Sequence, residues 1–181
     1  KKMYNYPRDL IGYNGKYPDP DWPGKAKVAV QFVLNYEEGA ENCILHGDEQ
    51  SETFLSEIIG ASAFEKARHM SMESIYEYGS RAGIWRVLNL FRERQIPITI
   101  FGVAMAIKRH PNPIEQALKD GHEICSHGLR WINYHGVDKN TEREHMQEAI
   151  EIHRHVCGER PLGPPRRWPP PPRRPGHCRA R

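Results

Sequence analysis

Short apolar segments alternating with amphipathic helical segments are the feature that most constrains how this chain of 181 residues can fold. Three runs have the length and apolar content of buried strands: KVAVQFVLNY (27–36), PITIFGV (97–103) and HEICS (122–126). Helical segments lie between and after them, and ERPLG (159–163) is expected to lead into a fourth strand. This order predicts an α/β fold in which helices cover a parallel sheet, either a barrel or an open sheet.

Periodicity and capping signals predict the helices. The longest covers about 73–94, where one face carries apolar residues at spacings of three and four: Ile75, Tyr78, Ala82, Trp85, Leu88 and Phe91. Asn112-Pro113 is expected to cap and begin a short helix that ends at Gly121. Thr141 and Glu144 form a capping box for a further helix closed by Gly158. The long polar connection 40–73 is expected to contain one more helix at 51–59.

Chain length limits the architecture. A closed α/β barrel usually needs about 250 residues, and three or four strands cannot close one. We therefore expect an incomplete (β/α) barrel, truncated after about the fourth strand. Its expected parts are an extended leader at 1–26, half of a barrel at 27–163, and a disordered tail at 164–181 with seven prolines and six arginines. The tail has the composition of an altered reading frame or a cloning remnant; a ligand segment for an SH3 or WW partner is the alternative.

Charge and cysteine content exclude several classes of function. The net charge of +3 belongs to the tail, because without its six arginines the rest of the chain has 20 basic and 23 acidic residues, about −3. The body therefore gives no support to a nucleic-acid or membrane-surface protein. The four cysteines lack CxxC spacing, and no apolar run approaches the roughly 18 residues that span a bilayer. A cytoplasmic location is the expectation.

Candidate catalytic residues follow the first and third predicted strands. Glu37 and Glu38 come directly after the first, and His127 comes directly after the third. In parallel α/β folds the carboxyl ends of the strands share one edge, where working residues gather. Adjacent residues at a strand end point in opposite directions, so one of the two glutamates should face the pocket. A carboxylate near an imidazole can move protons during hydrolysis, although solvated loop charges would give the same pattern.

Four blocks in the right order resemble a known family: YPRDLIGY (6–13), FVLNYEEG (32–39), SMESIYEYGSRAG (71–83) and EICSHGLRWINY (123–134). Together they look like the N-terminal part of the allantoinase branch of the polysaccharide-deacetylase (NodB-homology) superfamily, from about residue 6 to residue 163. The resemblance implies a distorted barrel of parallel strands wrapped by helices. It also implies hydrolysis of C–N bonds, either in N-acetylated sugars or in the hydantoin ring of allantoin.

Departures from the deacetylase pattern bear on metal binding. Typical deacetylases carry Thr-Phe-Asp-Asp-Gly after the first strand, where the second Asp binds metal together with two histidines of an H-S/T-x-x-H block. Here Glu38 stands at the position of the ligand Asp, and Trp131 replaces the second histidine. An indole cannot bind zinc because its one nitrogen is a donor, and two protein ligands fall short of the usual three. The resemblance therefore implies a cofactor-independent enzyme with no metal.

The expected function is metal-free hydrolysis of a cyclic amide, allantoin to allantoate. Glu37 or Glu38 would take a proton from water, and His127 would polarise the carbonyl or protonate the leaving nitrogen. Tyr36, Arg130 and Trp131 are expected to bind substrate, with a surface salt bridge as the alternative for Arg130.

Two other functions remain open. One is deacetylation of chitin-like substrates, and the other is a non-catalytic interaction protein that uses the tail. The expected partner of the enzyme is a small allantoin-like molecule. The full-length protein is expected to be a homo-oligomer, and the truncated chain alone is expected to lack substrate contacts that activity requires.

Overall fold

The computed structural model describes residues 8–161, and the α/β fold lies within residues 31–161. Residues 8–30 belong to a separate unit, whose described part contains one short 3-10 turn at Pro23–Lys25. The predicted tail at 164–181 lies outside the described residues. So does the end of the predicted fourth strand, and its described part, 159–161, is not in a strand.

The sheet has three strands, β1 (Val33–Tyr36), β2 (Thr99–Gly102) and β3 (Glu123–Ser126). Both pairings are parallel, with β2 in the centre and Tyr36, Gly102 and Ser126 in register at the carboxyl end. The predicted parallel α/β sheet is confirmed. The first strand is shorter than the predicted 27–36, because its first half lies outside the sheet and Val28 and Val30 are about three-quarters exposed.

Five α-helices accompany the sheet in the described residues: α1 (Met70–Tyr78), α2 (Ile84–Glu93), α3 (Ala104–Arg109), α4 (Asn112–Lys119) and α5 (Lys139–Cys157). A five-residue π-turn, Gly79–Gly83, joins α1 to α2 without interrupting the helical path. Helix α3 follows β2 almost directly and was not predicted from the sequence.

The predicted helix at 51–59 is wrong, since this segment forms turns. Its polar side chains bind the backbone nearby. Glu52 accepts hydrogen bonds from the amides of Thr53 and Phe54, and Ser56 accepts one from the amide of Ile58. Such local bonds compete with the helical hydrogen-bond pattern, which explains the failure.

The predicted apolar face of the long helix holds only for α2. Leu88 is fully buried, but Tyr78 is 55% exposed while Met72 and Tyr76 are buried in its place. The π-turn explains the difference because it inserts one extra residue, and one residue rotates the helix face by about 100°. If the spacing of the buried residues in α2 is extended to α1, it therefore predicts burial for the wrong residues of α1.

Two predicted helix starts also need correction. Asp138, rather than Thr141, caps α5 by accepting hydrogen bonds from the amides of Asn140 and Thr141. Asn112 makes no capping bond at the start of α4, although a proline does stand in the first turn as predicted. The predicted end of α5 is confirmed, because Gly158 adopts a left-handed conformation with φ 78°.

The hydrophobic core lies between one face of the sheet and the helices. Its fully buried large side chains include Tyr36, Leu88, Ile100, Ile107 and Ile114. Residues that alternate with these along the strands point to the opposite face, where Thr99 is buried and the others are wholly or partly exposed: Val33, Asn35, Phe101, Glu123 and Cys125. Glu37 and His127 continue this second series. Within residues 8–161, no helix is both long and apolar enough to cross a membrane.

Candidate active site

The chain continues the sheet hydrogen bonding just beyond the strand ends, and this brings two loops to one edge. The amide of Val103 donates to the carbonyl of Tyr36 (2.9 Å), and the amide of His127 donates to the carbonyl of Gly102 (2.9 Å). The residues that follow β1 and β3 therefore start on either side of the end of β2. This is the edge at which parallel α/β folds place their working residues.

Glu37 and His127 meet at this edge. The Oε1 atom of Glu37 lies 3.0 Å from Nε2 of His127, and the two side chains are 16% and 38% exposed. The imidazole also lies beside the ring of Phe101, with 5.9 Å between the ring centres. The predicted proximity of a carboxylate and this histidine is therefore present, and both side chains are partly exposed. Its catalytic role stays a prediction.

Glu38 points away from His127. Its side chain folds back, and Oε2 accepts a hydrogen bond from the backbone amide of Glu37 (3.1 Å). Burial raises the pKa of Glu38, which outweighs the hydrogen bonds from the backbone amides that lower it. Of the two adjacent carboxylates, Glu37 is thus the one that contacts His127 at the edge of the sheet.

Tyr36 points into the core rather than toward the open edge, so the structure gives no support to its predicted role in binding substrate, which stays untested. Its side chain is 1% exposed and lies among the helices, where its hydroxyl is 3.4 Å from Oγ of Ser80 and 3.3 Å from Nδ1 of His110. Strand alternation is the reason, since a chain that turns Glu37 to the open face must turn Tyr36 to the covered one.

Arg130 is held inside the protein rather than presented to a substrate. Its guanidinium donates to both carboxylate oxygens of Asp48, at 2.8 and 2.5 Å, and to the carbonyl of Glu41 (3.2 Å). The side chain is 11% exposed. The predicted substrate contact is therefore not supported, because both terminal nitrogens of the Arg130 guanidinium already bind Asp48. The alternative, an ion pair, is present but lies below the surface.

Trp131 belongs to an aromatic cluster beside the loop that follows β1. Its ring centre lies 5.2 Å from that of Phe54 and 6.3 Å from that of Tyr76, and its amide donates to the carbonyl of Ala40 (3.0 Å). Burial raises the pKa of Tyr76, and the negative charges of Glu52, Glu41, Glu37 and Glu38 add to the effect. The cluster thus stands near the carboxylates, and the role of Trp131 as a wall for a flat ring stays a prediction.

The donor set fits a metal ion poorly. In the part of the chain described, 8–161, no group of three or more His, Cys, Asp or Glu residues is arranged to hold one. Glu37 is paired with His127, Glu38 is turned back onto its own backbone, and the indole of Trp131 offers a donor where a ligand atom is required.

Several residues that shape the site were missed by sequence reasoning. Asp48 holds Arg130 from 82 positions away, and Gly79, Ser80 and His110 support the end of β1. One signal was visible for the π-turn. Two glycines, Gly79 and Gly83, stand inside a predicted helix, where each costs about 1 kcal/mol relative to alanine and so calls for a reason. Asp48 and His110 carried no such signal.

Comparison with known proteins gives consistent matches. Residues 66–171 match the family model described as polysaccharide deacetylase. A curated relative from Schizosaccharomyces pombe, described as a putative polysaccharide deacetylase, is 44% identical over 147 residues, which are 80% of this chain and 46% of the relative.

Two solved structures are similar over most of the chain. One is a PuuE allantoinase, with 61% identity, a TM-score of 0.83, and coverage of 87% of this chain and 52% of that one. The other is a probable polysaccharide deacetylase from Pseudomonas aeruginosa PAO1, with 60% identity, a TM-score of 0.82, and coverage of 86% and 52%. The chain therefore spans about half the length of the relatives that it matches. The predicted resemblance and the α/β fold of this type are confirmed.

Proposed function

This chain belongs to the polysaccharide deacetylase family, and we propose that its site opens a cyclic amide of the allantoin type by hydrolysis without a metal ion. The observation that carries the proposal is the contact between Glu37 and His127 at the open edge of the sheet. The 61% identity to a PuuE allantoinase supports the choice of substrate class.

In the proposed mechanism the two side chains share the proton transfers. Glu37 takes a proton from the water that attacks the amide carbonyl, and His127 gives a proton to the ring nitrogen that leaves. The tetrahedral intermediate then collapses as the ring C–N bond breaks: the carbonyl carbon becomes a carboxylic acid that releases its proton to water, and the leaving nitrogen becomes the NH2 of a ureido group. The 3.0 Å contact lets a proton pass from Glu37 back to His127, which restores the starting state for the next turnover.

The side chains at the positions of the deacetylase metal ligands support a mechanism without a metal ion. Trp131 stands where the deacetylase pattern has its second histidine, and its ring is packed between Phe54 and Tyr76. Two protein ligands are fewer than catalytic zinc sites keep. The carbonyl must then be activated by hydrogen bonding and by exclusion of water.

Deacetylation of an N-acetylated sugar is the second candidate. The matching family is described as polysaccharide deacetylase, and so is the curated relative that is 44% identical. Both reactions break a C–N bond at a carbonyl, so the pair formed by Glu37 and His127 does not separate them. Metal dependence does, because a deacetylase of this family's pattern relies on the ligand that Trp131 replaces.

The test uses the longest form of the protein that carries this sequence, because the relatives are about twice as long. Allantoin and an N-acetylglucosamine oligomer are supplied separately, before and after dialysis against a chelator. The proposal expects allantoate from the first, no acetate from the second, and unchanged rates after dialysis. Release of acetate that stops on chelation and returns with zinc would establish the deacetylase instead.

A further inference from the structure

The start of the π-turn lies directly against the end of β1. Gly79 and Ser80, which we call the cradle, contact the two residues that flank Glu37 in the sequence. Gly79 lies against the side chain of Glu38, and Ser80 lies within hydrogen-bond distance of the hydroxyl of Tyr36. Turns of this type are rare within helices, and those that occur often lie at functional sites.

Glycine at position 79 leaves room that any other residue would fill. A Cβ atom there would lie 2.8 Å from Cδ and 2.9 Å from Cγ of Glu38, and closer still to Oε1. These atoms belong to a flexible side chain, so a methyl group would displace Glu38 rather than break the helix. The displaced carboxylate would no longer accept the hydrogen bond from the amide of Glu37.

Ser80 holds the other flank. Its hydroxyl lies 3.1 Å from Nδ1 of His110 and 3.4 Å from the hydroxyl of Tyr36, which is itself 3.3 Å from the same nitrogen. This network of three side chains is partly buried, with Tyr36 its most buried member. It holds the hydroxyl of Tyr36, the last residue of β1, and thereby fixes the position of the backbone just before Glu37.

We propose that Gly79 and Ser80 are positioning residues that aim the carboxylate of Glu37 at His127 through Glu38 and Tyr36. The inference rests on the proposed function for the role of that pair, but the geometry it requires can be tested without substrate. Neither cradle residue touches the reacting atoms. Their effect is on the orientation of Glu37, and a small misplacement at a reacting centre can cost about a hundredfold in rate.

The first test compares Gly79→Ala with Gly83→Ala. Both glycines belong to the same π-turn, but a Cβ atom at Gly83 would meet nothing closer than 3.7 Å. We expect Gly79→Ala to lower kcat by about ten- to a hundredfold, with little change in KM and no fall in melting temperature. Gly83→Ala should leave kcat unchanged. A fall in melting temperature with unchanged kcat would show a merely structural role and would overturn the inference.

A double-mutant cycle identifies the route through Glu38. If Gly79→Ala acts by displacing that side chain, it should have no further effect on kcat once Glu38→Ala has removed the chain. Ser80→Ala should likewise lower kcat, and Ser80→Thr, which keeps the hydroxyl, should restore it. Additive losses of kcat from Gly79→Ala and Glu38→Ala would contradict the route through Glu38.

The decisive measurement is made on the chain itself and needs no turnover. The ring nitrogen resonances of His127 report the contact between Nε2 and Glu37. Gly79→Ala should shift them toward the positions seen in Glu37→Gln, whereas Gly83→Ala should leave them in place. Unchanged resonances in Gly79→Ala would overturn the inference. A normal kcat in Glu37→Gln would instead refute the proposed function and would leave this spectroscopic result to decide the inference alone.

Discussion

The ion pair between Asp48 and Arg130 should be among the largest polar contributions to the stability of this fold. It joins the loop after β1 to the segment after His127, and its side chains are 17% and 11% exposed. Asp48→Asn removes the charge and keeps the shape. The guanidinium of Arg130 then keeps the carbonyl of Glu41 and one amide oxygen at position 48 as acceptors, but no carboxylate balances its charge.

The magnitude follows from the burial of the pair. Removing one partner of a fully buried pair costs about 3–5 kcal/mol, and exposed pairs are worth about 0–1 kcal/mol. The small residual exposure here places the expected loss at about 2–3 kcal/mol. At about 2–4 °C per kcal/mol for a chain of this size, the melting temperature should fall by about 5–10 °C.

Thermal and urea unfolding at neutral pH measure this loss. The matched control is Glu148→Gln, because Glu148 pairs with Lys108 at 3.4 Å with side chains 49% and 64% exposed. That variant should lose at most about 1 kcal/mol. Equal changes in the two variants would refute the reasoning from burial.

The same pair has a predictable pH dependence. Burial raises the pKa of Asp48, but the hydrogen bonds from Arg130 and from the amide of Cys43 outweigh it and hold the pKa below its ordinary value. A carboxyl with a lowered pKa in the folded state stabilises above its unfolded pKa, about 3.9, and loses this effect as pH falls through the folded value. The difference between wild type and Asp48→Asn should therefore be constant from about pH 7 to pH 5 and shrink below about pH 4.

Two further predictions concern the core and the metal. Leu88→Ala, at a fully buried position of α2, should lower the free energy of unfolding by about 2–5 kcal/mol in urea melts. Purified full-length protein should contain well under one metal ion per chain by elemental analysis, and Trp131→His should raise its zinc content. Stoichiometric zinc in the wild type would contradict the second.

The parts of the fold that the sequence predicted are those governed by local, regular patterns. Buried strands are short apolar runs, and parallel strands end at one edge, so the sheet and the meeting of Glu37 with His127 were both within reach. The same alternation rule that singled out one glutamate also turns Tyr36 into the core. The expectation that Tyr36 binds substrate did not apply this rule one residue further back along the strand.

Other errors arose where the chain departs from a regular period or depends on distant partners. The π-turn shifts α1 by one residue, so that Tyr78 is exposed and Tyr76 is buried, whereas a fixed period of 3.6 had placed Tyr78 on the apolar face. Arg130 finds Asp48 across 82 positions, and no local spacing links the two. The turns near Glu52 result from side chains that bind the backbone, which a count of helical positions does not register.

Turnover of allantoin by the Glu37→Gln variant tests the central claim most directly. The claim is that this carboxylate, 3.0 Å from His127, takes the proton from the attacking water. We predict that kcat falls by about 10²–10⁴-fold with KM little changed, while the control Glu148→Gln keeps wild-type turnover. A Glu37→Gln enzyme that opens the ring at the wild-type rate would contradict it.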